Sequence, residues 1–209
     1  MAPLFTTLPL FFGHLSGGLV VLCVIPYAIR VYQNKIHPNL TSWILWVIIG
    51  LTLFLTYKSS GAGANIWPAV FGFTNPLLIT IIAIRRQGKL ERPNNLEIIC
   101  FVFCLVSLGL WWQVHQNKDL AQYALYLAII ADACAAIPTI NFVWSQPYGD
   151  RPFAWGFFGF AYGLSVFAIT EYTFANFVLP TYMFFGSMLV TFPLAKYRWK
   201  NHIPLKEWI

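Results

Sequence analysis

The sequence predicts an all-α membrane protein. Seven transmembrane helices are expected as two parallel three-helix repeats joined by a linker helix (3+1+3), N-terminus outside and C-terminus inside. Three observations carry this expectation. The chain is 58% apolar and only 10% charged, whereas a soluble domain carries about 25% charged residues. It matches itself without a gap at an offset of 112 positions. Its basic residues fall almost entirely on alternate loops.

The internal match places Ile25-Pro26 over Ile137-Pro138, Val31 over Val143 and Trp43 over Trp155. In the same register Pro68 lies over Pro180, Phe73 over Phe185 and Arg86 over Arg198. Two prolines, a tryptophan and a terminal arginine in one register mark an internal repeat, the means by which many transporters build a site between two halves. Residues 1–92 form the first repeat, 93–116 the linker helix, and 117–209 the second repeat with a basic tail.

A helix needs about 20 apolar residues to cross the hydrocarbon. Spans fall near 10–32, 41–58, 64–84, 95–114, 120–144, 153–170 and 174–195. Met1–Phe12 lacks a positive start and a small-residue cleavage pattern, so it reads as mature protein rather than a signal peptide. Pro26 interrupts the first span and Pro138 the fifth. The third carries Pro68 and Pro76, the seventh Pro180 and Pro193. The linker helix reverses direction once more, so the fifth span runs parallel to the first.

Eleven of the 13 basic residues follow the odd-numbered spans. They are Arg30, Lys35, Arg85, Arg86, Lys89, Arg92, Arg151, Lys196, Arg198, Lys200 and Lys206. Lys58 and Lys118 lie on the other side. The positive-inside rule puts the eleven in the cytoplasm. The net charge of +6 therefore reports topology and not nucleic-acid binding. Asn39-Leu40-Thr41 matches a glycosylation sequon but falls on the cytoplasmic side. Cys23, Cys100, Cys104 and Cys134 all sit inside spans without metal-type spacing, and read as packed thiols.

Ile25-Pro26-Tyr27, then Tyr32-Gln33-Asn34-Lys35, a short polar loop and Ser42-Trp43 resemble the PQ-loop signature. Ile137-Pro138-Thr139 to Phe153-Ala154-Trp155 occupies the same place in the second copy. With seven spans and a central linker, the chain resembles the SWEET/PQ-loop (MtN3/saliva-like) superfamily of parallel-repeat transporters. Tyr27 and Thr139 stand where the signature has glutamine, and the second span lacks the proline that sugar facilitators tend to carry. The segment Ala131-Asp132 to Pro138-Thr139 also resembles bacterial membrane proteins of this size. The superfamily resemblance implies that mid-helix polar residues of the third and seventh spans, Asn75 and Ser187, contact substrate. Helix–helix hydrogen bonding is the alternative for both.

Asp132 is the most informative single residue. A carboxylate at mid-membrane costs roughly 2.5–3.5 kcal/mol on insertion scales, so it faces the bundle or a cavity. It reads as a proton or cation site, a substrate contact, or a structural hydrogen-bond anchor. Its repeat counterpart is Val20. Asn141, three residues after Pro138, is expected to line the inner vestibule or to stabilise backbone freed by the proline. His14 is a candidate gate residue or a water-satisfied interfacial histidine. Pro26 and Pro138 each remove a helical hydrogen bond and read as hinges or as static kinks.

The expected function is transport of a small solute by alternating access between the two triplets, with proton coupling through Asp132 as an option. A receptor or scaffold of the same fold is the alternative. Enzymatic chemistry is not expected: no His pair sits at mid-depth for haem, no metal cluster or nucleophile motif appears, and the seventh span lacks a retinal-type lysine. No cofactor is expected. The expected partners are a small-molecule solute and the bilayer, with no nucleic acid and no required oligomer. The expected location is the cell (inner or plasma) membrane, multi-pass.

Overall fold

A chain in hydrocarbon has no water to satisfy its backbone, so each apolar run closes its own hydrogen bonds as a helix. The computed structural model describes residues 2–35, 38–86, 88, 90 and 92–209, with side-chain burial from residue 7 onward. Lys89, one of the basic residues counted above, lies outside the described residues. Among the described residues the chain forms seven α-helices and no strand. These are α1 (Ala2–Tyr32), α2 (Leu40–Ser59), α3 (Trp67–Arg86), α4 (Asn95–Val114), α5 (Lys118–Ser145), α6 (Pro152–Ser165) and α7 (Phe174–Lys200). Six apolar segments are long enough to cross a membrane.

Helix starts follow side-chain chemistry. Asn39 accepts from Ser42 N, Asn117 from Leu120 N, and Thr173 from Asn176 N. Asn94 and Glu97 form a reciprocal capping box at the start of α4. The expected spans agree with these helices to within a few residues, except that α1 starts eight residues earlier, α7 runs five residues further and α6 stops five residues short. That helix has 14 residues, then a 3-10 turn at Val166–Ala168. Its α-helical length is about 21 Å, at 1.5 Å per residue. It stops where Ile169 turns extended, ahead of the polar Thr170-Glu171 pair.

α3 packs against both α1 and α2, and α7 against both α5 and α6. α1 also meets α6, α2 meets α5, and α4 lies against α5 and α2. The largest core cluster joins Val20, Ile49, Leu53, Ala69, Cys100, Cys104, Leu125, Ala131, Tyr162 and Leu179, residues from all seven helices. The end of the bundle bearing Arg30, Arg86, Arg151 and Arg198 is called the basic end below.

Membrane proline frees the carbonyl four residues earlier. In α7 both such carbonyls find donors on other helices. Tyr57 Oη donates to Asn176 O at 2.9 Å, four residues before Pro180. Trp144 Nε1 donates to Leu189 O at 3.0 Å, four before Pro193. The corresponding carbonyls of Leu22 and Cys134, before Pro26 and Pro138, receive no side-chain donor from the described residues.

Candidate functional site

Asp132 lies at mid-length in α5, only 5% exposed. Its Oδ2 accepts a hydrogen bond from Tyr182 Oη of α7 at 2.6 Å. Tyr162 of α6, Cys100 and Cys104 of α4 lie within electrostatic reach of the carboxylate. Tyr162 is itself buried and leans toward α3: a Cβ on Gly72 would come within 2.8 Å of its hydroxyl. Gly72 is thus the residue that admits Tyr162 between the helices. The Asp132 carboxylate and the Tyr182 hydroxyl thus form a buried hydrogen-bonded pair between α5 and α7. Such a pair can take up and release a proton, or accept hydrogen bonds from a hydroxyl or ammonium.

Below Asp132, toward the basic end, a cavity of about 110 Å³ opens between α2, α4 and α5. Ser42, Asn94, Glu97, Cys100, Pro138 and Thr139 are among its lining residues. Ser42 Oγ donates to Glu97 Oε1 at 2.5 Å, and Asn94 N donates to Oε2 at 2.8 Å. Ala135 lines the cavity one helical turn after Asp132. Cys100, on its wall, is within electrostatic reach of that carboxylate. The cavity thus approaches Asp132 from the basic side, with a hydroxyl, a carboxylate and Pro138 on its wall.

The opposite end carries a network of side-chain ties. Asn65 Nδ2 donates to Tyr57 Oη, which donates to Asn176 O. Asn65 Oδ1 accepts from Gly63 N at 2.8 Å, and Asn176 Nδ2 donates to Glu171 O at 2.9 Å. Trp111 Nε1 donates to Ser59 Oγ at 2.8 Å. Lys118 pairs with Glu171 at 2.9 Å, both exposed. These contacts join α2, α4, α5 and α7 with the 3-10 turn Ala64–Ile66 that precedes α3.

The other sequence candidates divide. Asn75 is buried, and its Nδ2 donates to Val20 O of α1 at 2.7 Å, so its amide is committed to a helix–helix bond. Ser187 is buried against α6: a Cβ on Gly159 would lie 2.7 Å from Ser187 Cβ. Asn141 is exposed on α5, outside the Asp132 cluster and outside the cavity lining. His14 is exposed, its Nδ1 2.7 Å from Leu10 O and its ring 5.1 Å from that of Trp67. Pro138 lines the cavity, and Pro26 sits half-buried in α1.

Sequence reasoning did not name Tyr182, Tyr162 or Glu97, and it named Ser42 only as part of the loop signature. A buried carboxylate does call for a donor, and Tyr182 is a hydroxyl at mid-length in the seventh span. Among the described residues, no group of three His, Cys, Asp or Glu side chains gathers to hold a metal ion. Comparisons with protein-family models, with curated proteins and with solved structures find no match.

Proposed function

We propose that the chain is a multi-pass transporter of a small solute, working by alternating access between α1–α3 and α5–α7. The observation that carries this reading is Asp132: a buried carboxylate held by Tyr182, with a polar cavity beneath it on the basic side and a tied end above. A tied end and an open end around one ionisable group is what a carrier needs when caught facing one way. The packing is in keeping with it. In each triplet the third helix lies against both the others, and α4 stands beside them as a linker. With the basic end in the cytoplasm, this state faces inward, N-terminus out and C-terminus in. A plasma or inner membrane fits that charge pattern, and the resemblance to the SWEET/PQ-loop superfamily agrees with the architecture. Pro26 and Pro138 serve as the hinges, and Asp132 offers the means of proton coupling.

The test has two stages. Purified protein is screened by thermal shift against sugars, polyols, amino acids and small organic cations, because a ligand stabilises the folded state by mass action. The class that binds is then followed by counterflow in proteoliposomes. Exchange by the parent, lost or stripped of its pH dependence in Asp132→Asn, is the expected result. Asn keeps the size of the side chain and its acceptor for Tyr182 while removing the charge. A chain that binds a class without exchanging it would be a receptor. Parental exchange at every pH in Asp132→Asn would leave the aspartate a structural anchor only.

A further inference from the structure

Outside the bundle core, the last turns of α7 and the tail beyond them form a second concavity of about 620 Å³. Phe192, Ala195 and Trp199 make its apolar wall, Trp208 faces them, and Lys196 and Lys200 stand at its rim. The spacing explains the face: residues 192, 196 and 200, and 195 and 199, recur at four-residue intervals on one side of a helix. The tail turns back at His202, whose φ is 52°. Trp208 is then fixed by two bonds, its Nε1 to Ile203 O at 3.0 Å and its carbonyl from Phe153 N at 3.1 Å. The groove is therefore built by tertiary structure and is not merely one side of a helix.

Its chemistry is lopsided. Trp199 is 78% exposed and Phe192 56% exposed. Lys196 Nζ stands 5.7 Å from the centre of the Phe192 ring. No carboxylate lines the groove, and the salt bridge among the described residues is Lys118–Glu171, at the far end. Two cations without counter-charge above an aromatic trough at the end of a membrane-crossing helix are complementary to a molecule with an anionic head and an apolar tail. We propose that this groove is a binding site for an anionic phospholipid. The phosphate is held by Lys196 and Lys200, and an acyl chain lies along Phe192, Trp199 and Trp208. Because Trp208 is one wall, an occupied groove also fixes the tail against Phe153 at the start of α6. The proposal stands apart from the transport reading, since it needs neither Asp132 nor a moving bundle.

Native mass spectrometry of the full chain tests it, with phosphatidylglycerol and phosphatidylcholine of the same acyl chains as probes. The parent is expected to retain phosphatidylglycerol preferentially. The double variant K196Q/K200Q is expected to lose that preference by roughly 30-fold, the effect of two lysines at an anionic surface. K206Q, on the tail but outside the groove, is expected to keep it. Equal retention of the two lipids by the parent overturns the proposal without recourse to any variant. So does a phosphatidylglycerol preference that survives in K196Q/K200Q. Thermal stabilisation by inorganic phosphate equal to that by phosphatidylglycerol would also overturn it, since the apolar wall would then play no part.

Discussion

At matching positions, the first and last three helices do different things. Val20 and Asp132 share a place 112 residues apart, and each is tied to the third helix of its own triplet. In the first triplet the tie is neutral: Asn75 Nδ2 gives a hydrogen bond to the Val20 carbonyl at 2.7 Å. In the second it involves an ionisable group, Tyr182 Oη on the Asp132 carboxylate at 2.6 Å. Gly50 corresponds to Tyr162. Gly50 lets α2 and α3 touch backbone to backbone, and Tyr162 reaches across to Gly72 of that same α3. Arg86 is exposed, its guanidinium 3.9 Å from the Tyr32 ring centre, while Arg198 is 5% exposed among backbone carbonyls. A common frame thus carries a plain triplet and a chemically equipped one. The departures from the repeat, more than its matches, mark where the chemistry lies.

The largest contrast is at the arginines. Arg198 donates to Asp150 O at 2.6 Å, Pro147 O at 3.1 Å, and Leu194 O and Glu207 O at 3.4 Å. It thereby binds the α5–α6 loop and the tail to α7. Nearby, Arg30 and Arg151 both donate to Ile209 O. Burial pushes the Arg151 guanidinium below its usual range, and the charges of Arg30 and Arg198 push the same way. Arg198→Gln is expected to cost about 3 kcal/mol, because charged hydrogen bonds are lost and buried acceptors are left unpaired. Arg86→Gln should stay within about 0.5 kcal/mol. Thermal unfolding in one detergent compares them. Equal losses would mean that the two ends of the repeat are built alike.

Next come the glycines. A Cβ on Gly50 would meet Gly72 O and Phe73 Cα, both at 2.9 Å, and backbone cannot step aside. Gly50→Ala should therefore cost about 1–3 kcal/mol as overpacking. Gly186 has open space around its Cβ position. Gly186→Ala should be neutral or stabilise by up to about 1 kcal/mol through helix propensity. An unchanged unfolding midpoint for Gly50→Ala would show that α2 and α3 are not in close contact.

Helix existence was legible in the sequence because it depends on local apolar length. Extent was legible for α2 to α5 but not at the start of α1 or the ends of α6 and α7. The second span was expected at 41–58 and runs Leu40–Ser59. Burial of Asp132 followed from desolvation alone. Helix rotation and partners were not legible. These helices are apolar nearly all round, so no polar face marks which side turns inward. Tyr182 meets Asp132 across 50 residues, and Ser42 meets Glu97 across 55. Asn75 was expected to contact substrate or to bond between helices, and its amide donates to the Val20 carbonyl of α1. Asn141 follows Pro138 by three residues, a spacing that placed it in sequence without turning it toward the core. The α7 prolines did carry an unused signal. Each predicts an orphan carbonyl four residues earlier, and Tyr57 and Trp144 are the donors that answer it.

The two interhelical ties can be weighed directly. Tyr182→Phe removes the donor to a buried carboxylate and should cost about 1.5 kcal/mol, since the acceptor is left without its partner. Asn75→Leu removes a neutral bond and should cost about 0.6 kcal/mol, the mean for such bonds between membrane helices. Urea or thermal unfolding of both variants and their double mutant measures the ratio. A larger loss for Asn75→Leu would reverse the distinction drawn between the two triplets.

The smallest expected effect separates the prolines. Among the described residues no side chain donates to the Leu22 and Cys134 carbonyls before Pro26 and Pro138, whereas the carbonyl before Pro180 is held by Tyr57 Oη at 2.9 Å. Alanine at 26 and 138 supplies a backbone N–H to an acceptor that no side chain of the described residues engages. Each such bond is worth about 0.5–1 kcal/mol. The double variant Pro26→Ala/Pro138→Ala should therefore be folded, somewhat more heat-stable than the parent, and slower in hydrogen–deuterium exchange over residues 20–30 and 132–142. Pro180→Ala offers its new N–H to an acceptor already engaged, so it gains little and puts the Tyr57 tie into competition. If Pro180→Ala stabilises as much as the double variant, the missing side-chain donor at Leu22 and Cys134 has no energetic meaning. The first and fifth helices would then be no looser than the seventh, and the hinge reading would lose its physical basis. If only the double variant gains protection, the mobile points of the two triplets lie at matching positions. The plain triplet and the equipped one would then share the same joint.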